Sequence, residues 1–264
     1  MLPAAIRKLS CNPVLRRVAG RLHISHLARR VYCRLLSHNG VLQVSMLGVN
    51  AGFKSRDSKQ LALADYILTT ERDFIELALD DLHEGETFLD VGCNYGIFSI
   101  LASKVVGPKG RVIAVEPHPG ALEVLRGNVA ANRCENVEVL NVAFSDRTGS
   151  LSLSYNENGA GPQTPSDAPA TVHVVQAMAG DEALRNVIPA AMKIDVEGHE
   201  FAVLTGLKQA LSSEVCRRLC LEIHPTLLPS DVTKDGIMAF VGDCGFHVLH
   251  ESIRPPAVHI VATK

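Results

Sequence analysis

The residues best equipped for chemistry sit where short apolar runs stop. Phe88-Leu89-Asp90-Val91-Gly92-Cys93-Asn94-Tyr95-Gly96 reads as a buried strand that reaches a carboxylate and then turns on two glycines. Glycines at such a turn let the backbone bend sharply and approach a ligand with no Cβ in the way. The helix opening near Ile97 leaves its first N–H groups without intrahelical partners, so they can face that ligand. A dinucleotide site would require G-x-G-x-x-G, with the pyrophosphate on the helix N-terminus. Here the pattern is Asp-x-Gly-x-x-x-Gly. A negative charge ahead of the glycines repels a pyrophosphate and suits the ammonium of an amino-acid-like cofactor. That points to S-adenosylmethionine, with Asp90, Gly92, Asn94 and Gly96 as candidate contacts.

A second carboxylate, Glu116, closes the run Arg111-Val112-Ile113-Ala114-Val115, 20 residues beyond Gly96. Neighbouring strands of a doubly wound sheet bring such residues to one crevice, where a single carboxylate can accept from two ribose hydroxyls. A solvated strand-end acid is the plainer alternative. A third run, Val137 to Phe144, ends in Ser145-Asp146. A fourth, Ala191-Met192-Lys193-Ile194, enters the polar turn Asp195-Val196-Glu197-Gly198 and then a helix beginning near His199. Period-two alternation puts Lys193, Asp195 and Glu197 on one side while the strand persists. In the strand Leu219 to Pro225, Glu222 and His224 again share a side.

Were these last two strands adjacent, Asp195, Glu197, Glu222 and His224 would converge. His224, with an ordinary pKa near neutrality, is a candidate proton acceptor, and Asp195 or Glu222 could fill that role or orient the histidine. His199 and Glu197 are candidate substrate contacts, although His199 also suits a structural place at the helix start. The same four residues could instead hold a divalent cation, and their oxygen-rich donor set would favour magnesium or manganese over zinc.

The elements that must position these residues follow from composition and pattern. With 264 residues, 47% of them apolar, the chain can bury one α/β core plus an extension. Its net charge of −2 conceals an asymmetry. Residues 1–59 hold eleven of the basic side chains and a single acid, Asp57, which leaves the remainder strongly acidic. After Pro13, apolar residues recur at helical spacing from Val14 to Leu35 with arginines on the other faces. Such a segment can pack on the domain, touch an anionic membrane surface through residues 1–40, or track a phosphate backbone. Residues 41–60 suggest a short strand or loop. From Lys59 to Leu82 helical spacing resumes, with Leu63, Ile67, Phe74, Ile75, Ala78 and Leu79 inward. Seven scattered cysteines with no CxxC pair make neither a disulfide framework nor a zinc site. No apolar run is long enough to span a bilayer and no secretory h-region opens the chain, so a cytoplasmic protein, with possible peripheral membrane contact, is expected.

Taken in order, FLDVGCNYG, RVIAVEP, NVAFSD, KIDVEGHE and LEIHP resemble the FkbM family of S-adenosylmethionine-dependent methyltransferases. The resemblance runs from Phe88 to His224 and is most specific at KIDVEGHE. It implies a Rossmann-like class I methyltransferase fold: a seven-stranded, mostly parallel sheet with helices on both faces and a closing β-hairpin built from Phe246–His250 and Val258–Thr263. The domain would cover residues 60–264 behind a mainly helical extension, 1–59. The resemblance also implies a contact from Ser145 or Asp146 to the adenine amino group, with a turn through Arg147-Thr148-Gly149 as the alternative for Asp146. It implies methylation of a hydroxyl on a sugar, glycan or secondary metabolite. One departure concerns the Thr-Leu-Asp element that the family commonly carries before the KIDVEG strand. Here the region reads VHVVQAMAGDEAL, and Asp181 is only loosely equivalent. The chain also lacks an Asn/Asp-Pro-Pro-Tyr motif and the Pro-Cys pair of cytosine-carbon enzymes, which disfavours a nucleic-acid base as acceptor. An RNA methyltransferase using the basic arm, or a non-catalytic cofactor-binding protein at a membrane surface, remain the alternatives.

Overall fold

The computed structural model describes residues 37–38, 41–54, 64–65, 67–155 and 171–264. The chain begins with β1 (Ser37–His38), β2 (Val41–Met46), β3 (Val49–Lys54) and α1 (Arg72–Leu79). There follow β4 (Thr87–Val91), α2 (Ile97–Val106), β5 (Arg111–Val115), α3 (Pro119–Ala131), β6 (Val137–Leu140), β7 (Ala143–Ser145), β8 (Gly149–Tyr155) and β9 (Thr171–Ala179). Then come α4 (Gly180–Leu184), β10 (Ala191–Ile194), α5 (Glu200–Gly206), α6 (Lys208–Ser212) and β11 (Arg218–Ile223). The last elements are α7 (Lys234–Asp243), β12 (His247–Arg254) and β13 (Ala257–Thr263).

Seven strands form the main sheet in the order β12-β13-β11-β10-β4-β5-β6. From β11 to β6 every pair is parallel, and only β13 runs antiparallel to its neighbours. The fold is the Rossmann-like α/β arrangement expected, with the closing hairpin at one edge. Strand order reverses between β4 and β10, and in such sheets ligands enter the crevice at that reversal.

The apolar runs are continuous because both faces of the sheet are covered. Successive residues serve opposite cores: Phe88, Ala191, Cys220 and Val261 pack with α1, α2 and the β2–β3 hairpin. Leu89, Met192, Leu221 and Ile260 pack with residues of α5, α6 and α7. The same parity fixes the polar residues. Asp90 pairs with Lys193 across β4–β10, and Glu222 with His259 across β11–β13. Counting in twos, all four lie on the sheet face covered by α1 and α2.

Where a short strand or loop was expected over 41–60, residues 41–54 form an antiparallel hairpin whose Leu42, Met46, Ala51 and Phe53 are buried in the domain core. Its two-residue turn has positive φ at both Leu47 and Gly48, as tight hairpins require. The outer strand β3 is closed by amides from α3 and its cap: Gly52 N–H donates to Asn132 Oδ1 and Lys54 N–H to Asn128 Oδ1, each at 2.8 Å. These bonds satisfy an exposed edge that would otherwise invite pairing. One expectation is corrected: the run Val137–Phe144 is not one strand. It breaks at the exposed Asn141, so β6 is the edge of the main sheet while β7 joins β9 and β8 in a second, three-stranded sheet. Asp181, the loosely equivalent acid of the departure noted above, has a structural role. Its carboxylate accepts from the Gln209 and Ala210 N–H groups and so caps the first turn of α6.

The helix expected from Val14 to Leu35, its membrane or phosphate contacts, and the loop 156–170 lie outside the described residues. Among the described residues no helix is long and apolar enough to cross a membrane. The described cysteines, 93, 134, 216, 220 and 244, are buried free thiols.

Candidate active site

The glycine turn is set by backbone that only glycine tolerates. Gly92 has φ +73°, and a Cβ there would lie 1.8 Å from the Asp195 carbonyl oxygen, so the turn is pressed against the end of β10. Gly96, at φ +84°, caps α2, and Asn94 between them is also left-handed, at φ +49°. Asn94 N–H donates to Glu116 Oε2 at 2.9 Å, and His118 N–H donates to Glu116 Oε1 at 2.8 Å. Both Glu116 oxygens are thereby aimed by two backbone amides, one from each side of the crevice. Burial, only partly offset by these bonds, pushes the Glu116 carboxyl up to about 7. The His118 ring, which also accepts from Ala121 N–H to start α3, stands 6.3 Å from His173 on β9. The second sheet therefore reaches the Glu116 side of the cleft.

Asp90 is placed deeper than a ligand-facing acid. It is wholly buried, its Oδ2 accepts from the Ser99 hydroxyl at 2.5 Å, and its Oδ1 lies 3.9 Å from Lys193 Nζ. Burial pushes the Asp90 carboxyl up, against the pull of Lys193 and Ser99. Lys193 donates to the Gly92 carbonyl at 3.0 Å and to Asp195 Oδ2 at 3.2 Å. Burial opposes its charge, but Asp195, Asp90 and Glu222 outweigh burial and hold the ammonium firmly protonated. Lys193 thus ties the glycine turn to the next strand as a fixed cation.

Beyond Lys193 the acids and histidines form a connected group. Asp195 is partly exposed; burial of its carboxyl, then Glu222, raises its pKa to about 6 against Lys193 and His224. Glu197, at φ +53° in the turn, is raised to about 7 by burial and by Asp195. His224 is buried with carboxylates on both ring nitrogens: Glu200 is 2.9 Å from Nδ1, and Glu197 and Glu222 are 3.3 and 3.5 Å from Nε2. Burial works against the imidazolium, but Glu200, Glu222 and Asp195 overcome it and lift His224 to about 11. Burial likewise opposes ionisation of Glu222, yet His224 and His259, 3.5 and 3.4 Å from its two oxygens, hold it well below the usual carboxylate range.

Of the three proton-transfer candidates, His224 is held toward its protonated form by carboxylates at both nitrogens, and Glu222 toward its ionised form by the two histidines beside it. Asp195 combines a partly exposed side chain, a pKa raised to about 6 and a buried oxygen, Oδ1, without a hydrogen-bond partner.

Ser145 and His199 meet in a separate group: the Ser145 hydroxyl is 2.9 Å from His199 Nε2 and 3.0 Å from Asp146 Oδ1. Ser145 is buried, whereas Asp146 is exposed and 3.8 Å from Arg147. His199 thus links the β7 end to the turn after β10, and its pKa is lowered by burial.

Four residues of the site were not singled out from sequence. Glu200 is wholly buried, and its Oε1 serves both His224 Nδ1 and the Gly198 N–H at 2.8 Å. In the sequence it reads as an ordinary acid in a first helical turn. Ser99 sits one turn into α2 with no distinguishing neighbour. Glu71, just before α1, has its carboxyl raised to about 7 by burial and then by Glu222. His259 comes from the last strand, 37 positions after Glu222 in sequence but opposite it in register.

Three buried oxygens around the crevice, Asp90 Oδ1, Asn94 Oδ1 and Asp195 Oδ1, lack hydrogen-bond partners. All are acceptors, and Glu116 adds two more aimed by backbone amides. A ligand rich in donors fits them, and S-adenosylmethionine offers an ammonium, two ribose hydroxyls and an amino group.

Residues 90–248 match the model of the Methyltransferase FkbM domain, which is more than half of the chain. The chain belongs to the FkbM methyltransferase family. The hexuronic acid methyltransferase AglP of Haloferax volcanii is 30% identical over 171 residues, covering 63% of this chain and 68% of AglP. A probable cobalt-precorrin-6B C(15)-methyltransferase of Sulfolobus acidocaldarius is 42% identical over 73 residues, 27% of this chain and 38% of that protein. Among solved structures, a precorrin-6y C5,15-methyltransferase from Geobacter metallireducens superposes with a TM-score of 0.47 at 16% identity, over 74% of this chain and 86% of that one. This FkbM chain is an S-adenosylmethionine-dependent methyltransferase.

Proposed function

We propose that the protein methylates a hydroxyl oxygen of a sugar or glycan and that Asp195 takes the hydroxyl proton. Bound S-adenosylmethionine supplies an electrophilic methyl group on a sulfonium. Asn94, the glycine turn braced by Asp90 and Lys193, and Glu116 would hold the cofactor, with the ribose diol on Glu116. The observation that carries the reading is the Asp195 carboxylate itself: tied by Oδ2 to Lys193, unpartnered at Oδ1, and raised to about 6. A hydroxyl placed between that oxygen and the methyl would lose its proton to the carboxylate as the oxygen–methyl bond forms and the sulfonium bond breaks. Holding the two in line removes much of the entropic cost. AglP acts on a hexuronic acid by its name, which supports a sugar acceptor. Magnesium is not needed for this scheme, since a carboxylate with a near-neutral pKa already serves as base.

The test is transfer of labelled methyl groups to a panel of neutral glycosides, uronates and polyols, with product O–CH3 signals read by NMR. Asp195→Asn should lower turnover by roughly 10²–10⁴-fold, the usual contribution of a positioned base. An unaltered rate in that variant would remove Asp195 from proton transfer. N- or C-methyl products would remove oxygen as the acceptor.

A further inference from the structure

Among the described residues, two sets of three side chains bring potential ligand atoms within 4.8 Å of one another: Asp195, Glu197 and His224, and Glu71, Glu222 and His259. Glu222 connects them, with Oε1 3.5 Å from His224 Nε2 and Oε2 3.4 Å from His259 Nε2. The two sets differ in how their histidine is used. His224 has both nitrogens against carboxylates, one at 2.9 Å, so its set is an internally neutralised ion cluster. His259 is 2% exposed, and neither of its ring nitrogens has a hydrogen-bond partner. Buried imidazole nitrogens are rarely left in that state without a reason. The ring packs edge-to-face against Phe74, 4.9 Å between centroids. A ring nitrogen lies within 4.8 Å of carboxylate oxygens of Glu71 and Glu222, two acids that repel each other and have Asp195 as a further anionic neighbour.

We propose that Glu71, Glu222 and His259 bind a divalent first-row transition ion, manganese or zinc. Two carboxylates and one imidazole make a donor set that suits these ions, whereas magnesium and calcium prefer oxygen alone. The ion would cancel the repulsion between the two acids and satisfy the orphaned imidazole. Three protein ligands leave positions open, and the partly exposed Glu71 places them on the solvent side. The site differs from the one anticipated around Asp195 and His224, sharing only Glu222 with it. It draws its new ligands from the segment before α1 and from β13.

The full-length protein, stripped with chelator, is titrated separately with MnCl2, ZnCl2 and MgCl2 by calorimetry, and the manganese complex is examined by pulsed EPR. The expected result is about one manganese or zinc ion per chain, with imidazole nitrogen coupling in the manganese spectrum. Glu71→Gln and His259→Gln should each weaken the ion by at least about tenfold, while His224→Gln retains it. Glu71→Gln lies at a partly exposed position, and its binding of S-adenosylmethionine reports that it is folded. No stoichiometric ion in the wild-type protein, or an ion without nitrogen coupling, would overturn the proposal. So would an ion lost in His224→Gln but kept in Glu71→Gln, since that would place it on the other set.

Discussion

The two halves of the cleft solve opposite problems. On the β4–β5 side, backbone does the positioning: amides of Asn94 and His118 aim Glu116, and glycines shape the turn. The atoms left over are acceptors that await a ligand. On the β10–β11–β13 side, charges from four separate segments hold one another, Glu200 and Glu222 on His224, Lys193 on Asp195. One half is preorganised for a cofactor common to many enzymes, and its parts are close in sequence. The other is an electrostatic network of charges that hold one another, and its parts are distant in sequence.

If that contrast is right, breaking the network should cost folding more than cofactor binding. Glu200→Ala removes the wholly buried partner of His224 and leaves an uncompensated imidazolium, which should lower stability by about 3–5 kcal/mol. Urea unfolding with and without saturating cofactor would measure it. A change below about 1 kcal/mol would mean that water already solvates His224.

Gly92→Ala strikes the seam between the halves. Its Cβ would meet the Asp195 carbonyl at 1.8 Å from a left-handed φ, so overpacking and backbone strain together should cost about 3 kcal/mol. Cofactor binding should fail with it, which titration on the folded fraction would show.

The smallest effect is a proton. Glu116 lies near 7 because of burial, and in the proposed site its ionised form would accept both ribose hydroxyls. Affinity for S-adenosylmethionine should hold above that value and fall by up to about tenfold per pH unit below it, as protonation competes with the ligand. Glu116→Gln should bind more weakly and lose that slope. The dissociation constant measured from pH 5 to 9 decides the matter.

The same contrast explains what could be read in the chain beforehand. FLDVGCNYG and RVIAVEP were legible because strand, turn and ligand contact lie within a few residues of each other. The parallel sheet was legible because continuous apolar runs signal strands covered on both faces. The β2–β3 hairpin was obscured by its turn: Leu47 stands where asparagine, aspartate or glycine normally supplies the positive φ. The alternation of Leu42, Gln43, Val44, Ser45 and Met46 was present, and burial follows it. His224 looked like a base because an isolated histidine titrates near neutrality. Only the carboxylates at both its nitrogens, one of them on the unremarkable Glu200, reveal a fixed cation. His259 and Glu71 could not be linked to Glu222 without the antiparallel register of β13 and the placement of α1.

The most direct test is calorimetric titration of S-adenosylmethionine into the wild type, Glu116→Gln and Glu197→Gln at pH 8. The account predicts one cofactor per wild-type chain, clear weakening in Glu116→Gln, and an affinity in Glu197→Gln that matches the wild type within about threefold, or 0.6 kcal/mol. Weakening by Glu197→Gln with Glu116→Gln unchanged would contradict it and move the cofactor to the acidic side of the cleft.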